Sequence, residues 1–181
     1  MKKRVFVTGA SGFIGQHLVR QLCASGQYEI YALSRSTEPF THESVVWLTS
    51  SIEELSRRFP DIGSLSFDVL YHLAAFTPKK AEESNDIESN INQNIIATKK
   101  LYETLHAKKI IFASTIDVYS VQSQLPVAES SALTSENLYG ISKIMAEAMT
   151  RIHAAANGVQ FAILRIGHVY GPGEEKYGKI I

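Results

Sequence analysis

Apolar positions fall along this chain in two alternating rhythms. Short, nearly continuous apolar runs occur at 4–8 (RVFVT), 29–33 (EIYAL), 45–48 (VVWL), 68–73 (DVLYHL), 109–114 (KIIFAS) and 159–165 (VQFAILR). Runs of this length are expected of parallel strands covered on both faces. Helical periods lie between them. Ile14, Leu18 and Leu22 recur at i, i+4 and i+8, with Gly26 as a stop. IEELSRRF (52–59) predicts a short helix ended before Pro60. Residues 88–106 predict a long, mostly polar helix with Ile91, Ile95, Leu101 and Leu105 as its apolar set. YGISKIMAEAMTRIHAAA (139–156) predicts the clearest helix, stopped by Asn157 and Gly158. This repetition implies an α/β fold, a doubly wound parallel sheet with right-handed crossovers and helices on both faces. The connection from Ile116 to Leu138 shows little pattern, as expected of a functional or disordered loop.

Composition narrows the class. The 181 residues suit one domain, here residues 1–181. Net charge is +0, with 45% hydrophobic and 20% charged residues, so nothing points to nucleic acid or an anionic membrane. The single cysteine, Cys23, excludes an internal disulfide and sits in a helical pattern as core filler. Six histidines show no metal-ligand spacing, and His72, inside an apolar strand, reads as a core residue. The opening MKKRVFV stops at Thr8 and Gly9, too soon for a signal-peptide core, and no apolar stretch is long enough for a membrane helix. A cytoplasmic protein is expected.

The chemistry begins at TGASGFIG (8–15). Gly9, Gly12 and Gly15 suit a tight turn, a backbone approaching a pyrophosphate and a helix packed on its strand, with the helix N-terminus facing phosphate charge. Three glycines alone also suit a bare turn. Here a strand precedes them and a helix follows, which is the context a dinucleotide loop requires. After the second strand, where an acid would take the ribose 2′-hydroxyl, the chain reads ALSRS, with Ser34 and then Arg35. A guanidinium pairs with a 2′-phosphate that a carboxylate would repel, so NADP(H) is favoured over NAD(H). A solvated strand-end arginine is the alternative.

YGISK places Tyr139 and Lys143 one helical turn apart. A tyrosine, with a pKa of about 10, is a poor base unless an ammonium nearby favours its phenolate. Such a pair can move a proton to or from a carbinol oxygen. Ser114 and Thr115 end the fifth strand, at the edge where open α/β sheets bind ligands, and a hydroxyl there can bond the substrate oxygen.

Together with YHLAA (71–75), Asn94 in NIIAT and RIGHVYGPG (165–173), these motifs resemble the extended short-chain dehydrogenase/reductase family, which includes nucleotide-sugar epimerases and dehydratases. The resemblance runs across the whole chain in family order. It implies a Rossmann-like domain that binds NAD(P) and acts on a nucleotide-linked sugar by hydride transfer. It assigns catalysis to Thr115, Tyr139 and Lys143, and the pyrophosphate loop to Gly9, Gly12, Phe13, Ile14 and Gly15. Ser34, Arg35, Ser51, Ile52, Leu73, Ala74, Ala75, Asn94, Ser114 and Ile166 complete the expected cofactor set, with Tyr139 and Lys143 shared. Thr77, Thr115 and His168 fall on the substrate side.

Departures matter as much. Ser51 replaces a frequent aspartate near the adenine, Ala97 replaces a frequent glycine, and His168 replaces a frequent asparagine. Ile116 and Asp117 stand where dehydratases carry Asp-Glu after the threonine, which favours an epimerase or reductase. Ile181 follows YGPG closely, so most of the substrate lobe is expected to be absent. The competing readings are an NADPH-dependent carbonyl or sugar reductase and a non-catalytic NADP-binding module. A homodimer through the helices around Asn94–Leu105 and from Tyr139 onward is a further expectation, with Ile144, Met145, Ala148 and Met149 as its apolar surface.

Overall fold

The computed structural model describes residues 2–36, 38–120 and 125–174, so part of the long connection lies outside them. In chain order its elements are β1 (Lys3–Thr8), α1 (Phe13–Ala24), β2 (Tyr28–Ser34), β3 (Val45–Thr49), α2 (Leu55–Arg58), β4 (Ser66–Phe67) and β5 (Val69–His72). There follow α3 (Ile87–Ser89), α4 (Ala97–Thr104), β6 (His106–Ala107), β7 (Lys109–Thr115), α5 (Leu138–Asn157) and β8 (Gln160–Ile166). A π-helical stretch, Asn90–Ile96, joins α3 to α4. Six strands form one parallel sheet in the order β3-β2-β1-β5-β7-β8, and β4 and β6 make a separate short pair.

The alternation along β1 divides the core. Val5 and Val7 pack with Val19, Leu22 and Cys23 of α1, while Phe6 points to the opposite layer with Leu70, Leu101, Phe112 and Ala146. Helices on both faces follow from strands that are apolar on both. Register brings the strands' carboxyl ends to one edge: Thr8 pairs with Leu33 and His72, Ser34 with Thr49, and Thr115 with Ile166.

Two helices differ from expectation. The helix expected over 52–59 is only Leu55–Arg58. The Ser51 hydroxyl accepts from the Glu54 amide and Ile52 packs against the core, so the first turn is a capped bend. Residues 87–104 form the expected long helix, but with π-helical turns at Asn90–Ile96, and its apolar set is not its buried set. Ile91 is exposed, and Asn90 and Asn94 face inward. The buried amides hydrogen-bond there, which is what makes their burial tolerable. α5 matches its expected span closely because its ends are capped: Asn137 accepts from the Gly140 amide (2.9 Å), and Gly158 ends the helix at φ 65°.

Candidate active site

The glycine loop fills the corner between β1, β2 and β5. Gly9 has φ +66°, and a Cβ there would lie 2.8 Å from the Ala74 amide nitrogen. A Cβ on Gly15 would collide with the Gly9 carbonyl, so this glycine lets α1 sit directly on the turn. Gly12 caps α1 without a side-chain acceptor, and the first turn carries no acid. The Phe13, Ile14 and Gly15 amides therefore have no acceptor among the described residues, which suits an anion at this helix end. Ser34 ties the loop down, its Oγ donating to Ser11 Oγ (2.8 Å). Arg35, at the exposed end of β2, donates from Nη1 to Gln93 Oε1 (3.1 Å), across to the π-helical stretch. Phe13 is half-buried, packed on His17, and Ile14 is exposed. Ser50, beside Ser34 and Ser51 at this edge, holds a buried hydroxyl with no hydrogen-bond partner among the described residues.

The loop after β5 faces these glycines. Leu73, Ala74 and Ala75 are half-buried, and the amides of Leu73 and Ala74 donate to Thr8 Oγ1 (3.1 and 3.0 Å). Asn94 is 2% exposed. Its Oδ1 accepts from the Phe76 amide (2.8 Å), and its Nδ2 donates to the Phe76 carbonyl (3.3 Å) and Ser142 Oγ (3.0 Å). It holds the loop from behind rather than opening onto the cleft. Ser142 also donates to Asn90 Oδ1 and to the Tyr139 carbonyl (2.7 Å), which links that loop to α5.

Tyr139 and Lys143 lie in the first turns of α5, 7% and 3% exposed. A Cβ on Gly140 would collide with the Asp117 carbonyl and Ser135, so only glycine allows α5 to sit this close to the turn after Thr115. Thr115 Oγ1 accepts from the Asp117 amide (3.2 Å), which leaves its proton available. The Ser114 hydroxyl instead donates to Glu147 Oε1 (2.6 Å), inside the protein. Of the two strand-end hydroxyls, only that of Thr115 has no protein acceptor for its proton among the described residues. Lys143 Nζ sits 4.4 Å from the centre of the Phe112 ring, and no hydrogen bond or ion pair from a described residue reaches it. Burial pulls this ammonium down to about 7 against a smaller upward pull from Glu147. A cationic donor with no hydrogen-bond partner among the described residues fits a hydroxyl-bearing ligand such as a cofactor ribose. Ile166 is half-buried at the end of β8, while Thr77 and His168 are exposed.

Sequence reasoning missed the ion pair behind this site. Glu147, 1% exposed, receives Arg165 through Nε (3.0 Å) and Nη2 (2.8 Å). Arg165 Nη1 also donates to the Tyr119 hydroxyl (2.6 Å) and the Glu129 carbonyl (2.7 Å). Burial pushes the Glu147 carboxyl up, but Arg165 and Ser114 outweigh it and hold it below the usual range. The signal was available: Glu147 is one further turn along the face of Tyr139 and Lys143, and Arg165 opens RIGHVYGPG.

Comparison with known proteins agrees with this geometry. The family model for the NAD dependent epimerase/dehydratase family matches residues 5–181. The chain is 29% identical to the uncharacterized UDP-glucose epimerase YtcB of Bacillus subtilis (strain 168), over 93% of this chain and 57% of that protein. It is 30% identical to dTDP-4-dehydro-6-deoxyglucose reductase of Escherichia coli, over 98% of this chain and 59% of that one. The crystal structure of UDP-glucuronic acid 4-epimerase from Bacillus cereus, with UDP-glucuronic acid and NAD, superposes with a TM-score of 0.79 at 27% identity. That match covers 93% of this chain and 58% of the epimerase. The chain thus spans a little over half the length of these relatives. From the glycine cradle to the Tyr139–Lys143 turn, the chain belongs to the NAD dependent epimerase/dehydratase family.

Proposed function

We propose that this chain is the cofactor-binding and catalytic half of a nucleotide-sugar epimerase or reductase. The observation that carries the reading is the buried Tyr139–Lys143 pair, held against the strand end that bears Thr115 by the close contact at Gly140. The cradle at Gly12, the orphan Ser50 hydroxyl and the unpartnered Lys143 fit a dinucleotide. Once bound, a nicotinamide would take a hydride from a sugar carbon or return it. Tyr139 would move the carbinol proton, and the Thr115 hydroxyl would hold the carbinol or carbonyl oxygen. Lys143, protonated, would favour the Tyr139 phenolate and grip the ribose. Relatives and neighbours named as UDP-sugar epimerases support the substrate class. Thr77 and His168, both exposed, would supply substrate contacts.

Replacing Tyr139 by Phe is expected to reduce turnover of a nucleotide sugar by at least about a hundredfold while leaving dinucleotide binding within about twofold. Turnover that survives the substitution would refute the assigned proton transfer.

Arg35 favours NADP(H). It meets a neutral amide, Gln93, so its charge is uncompensated for a 2′-phosphate. This also favours the reductase reading, because a reductase consumes reduced cofactor whereas an epimerase leaves it unchanged. Fluorescence titration should show NADPH binding about tenfold tighter than NADH in wild type, a preference lost in Arg35→Asp. Equal wild-type affinities would remove the argument. Net loss of NADPH absorbance on adding a keto-sugar nucleotide would separate reductase from epimerase.

Lys143 makes stability depend on pH. Its folded value, about 7, lies below the ordinary 10.5, so between these the unfolded chain binds more protons and stability rises with pH. The stability advantage of Lys143→Met over wild type should be larger near pH 6 than near pH 10, by up to about 4 kcal/mol. Urea midpoints at the two pH values test this, and a constant difference would contradict it.

A homodimer is part of the reading. Ile87, Ile91, Ile95, Leu138, Ile141 and Met145 line an apolar groove of about 380 Å³ between the 87–96 helix and α5. Sedimentation should show a dimer that Met145→Asp dissociates. A monomeric wild type would rule it out.

A further inference from the structure

His72 is 1% exposed in the middle of the sheet, and the proton-transfer chemistry makes no use of it. Both ring nitrogens are nevertheless bonded, Nδ1 to Thr8 Oγ1 (2.8 Å) and Nε2 to Thr98 Oγ1 (2.9 Å). The direction of each bond follows from counting protons. Thr8 Oγ1 already accepts from the Leu73 and Ala74 amides, which fills its two lone pairs. Its one proton must therefore go to His72, and Nδ1 must be the acceptor. The ring proton then sits on Nε2 and is donated to Thr98. Thr98 in turn donates to the Asn94 carbonyl (2.7 Å). Asn94 grips Phe76 through both its amide and its carbonyl.

We propose that His72 is a positioning residue of the dinucleotide site: as a neutral Nε2–H imidazole it is the middle link of one directed hydrogen-bond chain, Thr8–His72–Thr98–Asn94, that fixes the Leu73–Phe76 backbone from both ends. The proposal rests on the cofactor reading above, because that backbone faces the glycine loop. A cationic ring would present two donors and leave Thr8 with three donors to accept, breaking the hold on Leu73 and Ala74. It would also place a second cation beside Phe112, whose ring lies 4.4 Å from Lys143 Nζ and 5.5 Å from the His72 ring. Burial, and then the Lys143 charge, push His72 down to about 3, in keeping with the neutral form. The groups packed on the ring are Thr8, Thr98, Tyr102 and Phe112, none of them an acid.

Two measurements on the full chain test this. Imidazole nitrogen NMR should show a bare Nδ1 and a protonated Nε2 for His72, unchanged from about pH 5 to about pH 8. A protonated Nδ1, or titration in that range, overturns the chain. Thr98→Val removes the far link without touching the Leu73–Phe76 backbone. It should weaken NADPH and NADH binding about three- to tenfold with the folded circular dichroism spectrum retained, and Thr98→Ser should restore wild-type affinity. A folded Thr98→Val that binds as wild type does overturns the positioning role. If wild type binds neither dinucleotide, the cofactor reading itself fails, and the positioning role fails with it whatever the tautomer.

Discussion

Helix α5 turns a charged face into the protein, and most of the site follows from that. Tyr139, Lys143 and Glu147 recur at successive turns and all are nearly inaccessible. A buried charge is tolerated only with partners, since stranding one costs about 3–5 kcal/mol. Glu147 collects the Arg165 guanidinium and the Ser114 hydroxyl. Meeting that need joins α5 to the ends of β7 and β8. Through Tyr119 and Glu129 it also draws in the segment beyond Thr115. Lys143 finds an aromatic face instead of a polar partner. The same helix thus buries one charge in an ion pair and the other against an aromatic ring.

The opposite wall is set by steric contact rather than charge. Gly9 and Gly15 allow α1, β1 and the loop after β5 to meet at backbone distance, and Gly140 does the same for α5 and the turn after Thr115. These contacts converge on the carboxyl edge of the sheet, where parallel strands leave their last carbonyls and amides open. Between the two walls runs a layer of small hydrogen-bonding side chains. Thr8, Asn94, Thr98 and Ser142 join the loop after β5 to α5 without adding a net charge.

The six strands of the sheet, the helices between them and the glycine turn after the first strand were legible because each has a local signal. Continuous apolar runs mark β1, β2, β3, β5, β7 and β8, and the glycine spacing marks the first turn. The 88–106 region misled because its periodicity holds two sets of residues. Ile87, Ile91 and Ile95 line a surface groove, and Asn90 and Asn94 take the inward positions. Hydrophobicity cannot reveal that choice, because what makes an inward asparagine favourable is the Phe76 backbone and Ser142, each distant in sequence. Glu147 and Arg165 each have a local signal, the helix period and the RIGHVYGPG motif, but their pairing does not, because they meet only when β8 is placed beside α5.

The turn that carries Tyr139 and Lys143 is fixed by contacts drawn from distant parts of the chain: the Asn137 cap, the Gly140 contact with Asp117 and Ser135, and the Ser142 bonds to Asn90, Asn94 and the Tyr139 carbonyl. β8, the last strand of the sheet, keeps Phe161 and Leu164 40% and 46% exposed, in contrast to the fully buried Val5, Phe6 and Val7 of β1. An edge strand is hydrogen-bonded on one side only, so β8 takes its cover from β7 and α5, and the sheet's burial thins from β1 outward to this edge.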